Sequence, residues 1–208
     1  MHIYAFGSIC RGEVDLDSDV DLLALVFKYE PKLDPKTFSI YSYDRLAAMW
    51  KDGNPFAWHL YLESRLLYKQ DGIDYIKSLG EPGEYTEGDH DCRKFMEIFN
   101  TAVSEIERNT SSYIFELSNM FLAIRNFATC YSLQFRDKPE FSRYSALSLK
   151  EKSLKISDLS YTILERSRIL STRGSGPTII DYEVTRVMKD VPAVREWMEN
   201  IWKEPDEN

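Results

Sequence analysis

Residues 2 to 27 hold two short apolar runs on either side of a Gly-Ser bend and a loop dense in acids, and no other stretch restricts the fold as much. His2 to Phe6 (HIYAF) predicts a buried strand, and Gly7-Ser8 predicts a turn that opens a helix or loop. Val20 to Phe27 (VDLLALVF) predicts a second strand. Side chains two apart in a strand point the same way, so Asp19 and Asp21 are expected on one face. Two carboxylates that close repel by several kcal/mol at an effective dielectric of about 20. A divalent cation between them would remove that repulsion.

The run FGSICRGEVDLDSDVDLLALV resembles the signature of the polymerase-β-like nucleotidyltransferase superfamily: a hydrophobic strand, Gly-Ser, a spacer with Arg-Gly, then Ser-Asp-x-Asp-Leu. Gly7, Ser8, Arg11, Gly12, Ser18, Asp19, Asp21 and Leu22 carry the match, which covers residues 3 to 27. The resemblance implies that Gly7 lets the backbone approach phosphates, and that Ser8, with nearby N–H groups and Ser18, binds the nucleotide. Arg11 is a further expected phosphate contact. Asp19 and Asp21 would hold Mg²⁺, which bridges phosphate oxygens as pyrophosphate leaves a nucleoside triphosphate such as ATP. No G-x-G-x-x-G or G-x-x-x-x-G-K-[ST] pattern occurs, which sets Rossmann and P-loop folds aside.

Active members of that family use a third carboxylate, on the next strand, as metal ligand and proton acceptor. The next predicted strand, Thr37 to Tyr43, ends beside Asp44, which is therefore the expected third catalytic acid, ahead of Asp34 and Glu63. A strand-end position leaves a second outcome open, a weak or inactive nucleotide-binding regulatory protein. The family also tends to carry a helix before its first strand, whereas Met1 alone precedes His2 here. An uncovered sheet face would favour a homodimer.

The expected fold class is α+β, with a small mixed-sheet nucleotidyltransferase domain over 1–80 followed by an α-helical bundle over 85–208. In the first part, Asp44 is expected to cap a helix through Trp50, and Pro55 to open another through Arg65. Leu66 to Lys69 reads as a last strand and Ile73 to Leu79 as a short helix. Gly80-Glu81-Pro82-Gly83-Glu84 reads as the boundary. Beyond it, Phe95, Ile98, Phe99, Ala102, Val103 and Ile106 form a helical stripe, and 112–136 is apolar around more of its circumference, as a central helix would be. Helices over 154–171 and 181–203, the second with a break at Pro192, complete the expected bundle.

A nucleotidyltransferase domain with a helical domain behind it is similar to kanamycin-type enzymes and to minimal nucleotidyltransferases paired with HEPN-type helical proteins. Arg125-Asn126 resembles the start of the HEPN ribonuclease motif, but Cys130, Tyr131 and Ser132 stand where its histidine belongs. Without that imidazole a ribonuclease has no acid or base. His59 and Glu63 read as a helix-surface pair, His90 and Cys92 as part of an Asp-rich helix start, and Arg143 and Arg173 as loop residues able to reach a phosphate.

A net charge of −8 disfavours a broad grip on nucleic acid and suits a small-molecule or protein acceptor. Three cysteines without C-x-x-C spacing, no leader pattern and no apolar run long enough to span a bilayer point to a soluble cytoplasmic protein.

Overall fold

The computed structural model describes residues 1–13, 20–28, 30–109, 112–136 and 138–203. The chain falls into two compact units, Met1–Thr86 and the remainder from Glu87. The fold is α+β: a four-stranded mixed sheet with helices around it, and a helical second unit.

In the first unit β1 (His2–Phe6), β2 (Asp21–Val26), β3 (Phe38–Ser42) and β4 (Arg65–Lys69) form a sheet in the order β3-β2-β1-β4. β1 pairs antiparallel with β2 and β4, whereas β2 pairs parallel with β3. Register follows from burial. Tyr4 lies opposite Leu23 and His2 opposite Leu25, so these side chains share one face, all buried. Helices α2 (Tyr43–Lys51), α3 (Pro55–Glu63) and α4 (Tyr75–Leu79) close that face, adding Leu46, Trp50, Ala57, Leu60 and Ile76 to its core. A four-residue helix, α1 (Ser8–Arg11), follows β1 directly and stops at Gly12, whose φ of 77° is left-handed.

Three local expectations are corrected. The cap of α2 is Ser42, whose Oγ accepts the Arg45 N–H at 3.1 Å, because a cap must precede the helix and Asp44 already lies inside it. α3 stops at Glu63, two residues short of Arg65, since Arg65 is taken into β4 opposite Ala5. Residues 80–84 pack within the first unit: the Gly83 N–H donates to Trp50 O at 2.8 Å, and the Trp58 indole donates to Gly83 O at 3.0 Å.

The second unit is built on α5 (Gly88–Arg108), α6 (Tyr113–Phe135), α7 (Asp158–Arg173) and α8 (Asp181–Lys203). Leu117, Ile124, Phe127 and Ala128 of α6 are fully buried, as expected of a central helix, and α5, which packs along α6, buries Phe99 and Val103. α7 begins at Asp158 rather than Leu154, because Ser157 caps it through the Ser160 N–H and Leu154 is held in the preceding turn by Ala146 O. α8 runs through Pro192 without a break. Among the described residues no helix is long and apolar enough to cross a membrane.

Candidate functional site

The C-terminal end of β1 and the N-terminal ends of β2 and β4 meet at one end of the sheet, where the Gly-Ser bend lies. Gly7 has a φ of 77°, which a residue with a Cβ adopts only with strain. A Cβ there would also lie 2.6 Å from Asp21 Oδ2, so the carboxylate rests directly against the glycine backbone. Asp21 is the first residue of β2 and is exposed, with Phe6 as its cross-strand neighbour. Gly7 and Asp21 are thus brought together, with Ser8 next in the chain. Ser18 and Asp19 lie outside the described residues.

Arg11 is placed close to this group, with its guanidinium taken up by carboxylates of the chain. Its Nη1 donates to Glu63 Oε2 and its Nη2 sits 2.9 Å from Glu13 Oε2, so two carboxylates bracket the guanidinium. Glu63 Oε2 is also 2.9 Å from His59 Nε2, one helical turn earlier on α3. The His59 ring meets Phe6 edge-on at 5.7 Å and Phe56 at 6.4 Å. Burial of the Glu63 carboxyl would raise its pKa, but His59 and Arg11 outweigh burial and hold it below the ordinary carboxylate range. The i, i+4 spacing of His59 and Glu63 was legible as a pair. Nothing local signals the third member, Arg11, which lies 52 positions away in sequence.

Asp44 does not belong to this end of the sheet, which corrects it as the third acid. β2 and β3 run parallel with Leu22 beside Phe38, so Asp21 lies level with Thr37, the residue just before β3. Asp44 lies beyond Ser42, and the five steps from Thr37 to Ser42 alone span roughly 16 Å at the usual strand rise. At the far end Asp44 faces Tyr75, where burial first and then this carboxylate raise the phenol pKa. Asp34 does lie at the near end, but its Oδ1 accepts the Lys36 N–H at 3.0 Å and its Oδ2 the Thr37 hydroxyl at 3.2 Å, which shape the turn into β3.

Elsewhere, His90 is exposed while Cys92 is buried with its thiol toward Phe127 O, so the two do not converge on one site. Arg143 Nη1 is engaged by Glu165 at 2.9 Å. Among the described residues there is no group of three His, Cys, Asp or Glu side chains that could hold a metal ion. Asp21 alone of the two expected magnesium ligands can be placed, and its exposed hard oxygens fit such an ion. No protein-family model matches the chain, and no curated protein matches it.

Proposed function

We propose that this chain is a Mg²⁺-dependent nucleotidyltransferase that moves a nucleoside monophosphate from a triphosphate such as ATP to a hydroxyl on a small molecule or a protein. The observation that carries the reading is the contact between the side-chain-free Gly7 bend and the exposed Asp21 carboxylate. It sets a backbone surface suited to phosphate beside a hard-oxygen metal ligand. In this reading Asp19 and Asp21 hold the ion, which neutralises charge on the departing pyrophosphate, and Ser8 contacts phosphate oxygens. The reaction takes place in a reducing cytoplasm, in keeping with Cys10, Cys92 and Cys130 forming no disulfide. Asp19→Ala and Asp21→Asn should each abolish transfer of labelled nucleotide while leaving the circular dichroism spectrum unchanged. Retained transfer in either variant refutes the metal assignment.

One observation favours a second reading, a nucleotide-binding regulatory protein with little or no turnover. The strand beside Asp21, Phe38–Ser42, contains no carboxylate, and Asp44 lies at the other end of the sheet. Titrating ATP and GTP with Mg²⁺ by calorimetry, then assaying pyrophosphate release, separates the two: binding without release across a panel of acceptors selects the regulatory protein.

A further inference from the structure

We propose that Glu63 is a positioning residue for the Gly7–Ser8 bend, acting through Arg11. The bend opens α1, and α1 has few ties of its own: apart from short local hydrogen bonds, the Cys10 thiol meets the Arg65 backbone of β4. The helix is four residues long, none of them is buried, and Gly7 supplies no side-chain cap. Its local hydrogen bonds include Cys10 N–H to Gly7 O at 3.0 Å, Glu13 N–H to Ser8 O at 3.0 Å, and Gly12 N–H shared between Ile9 O, at 3.2 Å, and Ser8 O. A single turn of helix is unstable by itself, because fixing the first turn orders several residues for one hydrogen bond.

Arg11, the last residue of α1, provides the anchor. Of its two acidic partners, Glu13 belongs to the same excursion and would move with it. Glu63 does not. It ends α3, and Arg65, two residues on, is already paired with Ala5 of β1. The Glu63 side chain is largely enclosed, and His59 holds the same oxygen from the other side. His59 in turn packs against Phe6, the residue before Gly7. Phe6, His59, Glu63 and Arg11 therefore close a ring of contacts around the bend, and the charge-assisted hydrogen bond from Arg11 to Glu63 is its strongest member. The sequence motif read as a phosphate grip is, at Arg11, a strut.

Only the second readout below rests on the nucleotide reading. Glu63→Gln and Arg11→Met each cut the strut, and amide hydrogen exchange reports on α1 directly. Both variants should speed exchange at Cys10, Gly12 and Glu13 about tenfold or more, with unchanged protection at Tyr4 and Leu23. The double variant should add nothing to either single one, and Glu63→Asp should fall between wild type and Glu63→Gln. Unchanged exchange in α1, or an equal loss across β1 and β2, overturns the inference. The second readout is the Kd for MgATP, which should rise about tenfold in both single variants. Faster α1 exchange with an unchanged Kd also overturns it, since the bend would then be placed without the strut. Faster α1 exchange in a protein whose wild type binds no triphosphate refutes the nucleotide reading and leaves the strut standing.

Discussion

At Gly7 two demands coincide, a positive φ and the absence of a Cβ, and the Asp21 carboxylate fills the space a side chain would need. Gly7→Ala should therefore cost about 1–3 kcal/mol from backbone strain and also displace Asp21. Urea unfolding of Gly7→Ala beside Gly72→Ala separates the two effects, since Gly72 has φ 82° but nothing within 4 Å of its missing Cβ. The larger loss should fall at Gly7. Glu63 gives a pH signature whose sign follows from its lowered pKa. Folding depresses this group, so its contribution is complete above the ordinary carboxylate value of 4.5 and disappears as pH falls through the folded value. Wild type should exceed Glu63→Gln by about 1–2 kcal/mol near neutral pH, the gap closing in acid. Stability curves that stay parallel down to about pH 3 would contradict this.

Elements were legible wherever period and punctuation agreed. The strands at His2, Asp21 and Phe38, and the stripe on α5, follow from runs of apolar residues spaced for one face. The start of α7 was not legible, because Leu154 fits the helical stripe but is buried in a preceding turn that only the tertiary fold creates. The place of Asp44 was not legible for a related reason. Proximity in sequence to a strand says nothing about which end of the sheet that strand presents, and only the parallel pairing of β2 with β3 decides it. The uninterrupted course of α8 through Pro192 makes a further prediction. Pro192 is exposed, so Pro192→Ala restores a hydrogen bond donor without altering the core. It should raise stability by about 1–3 kcal/mol, visible as a higher denaturant midpoint, and a lower midpoint would show that the helix needs the proline's shape.

Over the whole molecule each unit encloses its own apolar interior, one around Leu23, Leu25 and Leu60, the other around Phe99, Leu117 and Phe127. Residues 87–208 expressed alone should therefore melt cooperatively with helical circular dichroism, and Phe127→Ala within that fragment should cost about 3–5 kcal/mol. A non-cooperative, broad melt of the fragment would refute its independence. The first unit depends in turn on a stretch that composition alone marks as a linker. Gly83 approaches so closely that a Cβ on it would lie 2.4 Å from Lys51 O, and one on Gly53 would lie 2.1 Å from Glu84 O. The indole N–H groups of Trp50 and Trp58 end on Gly80 O and Gly83 O, both at 3.0 Å. A protease that nicked the chain just after Leu79 would thus release more than a tether: it would bare two tryptophans to water, and a red shift of intrinsic fluorescence would report the damage before any activity assay did.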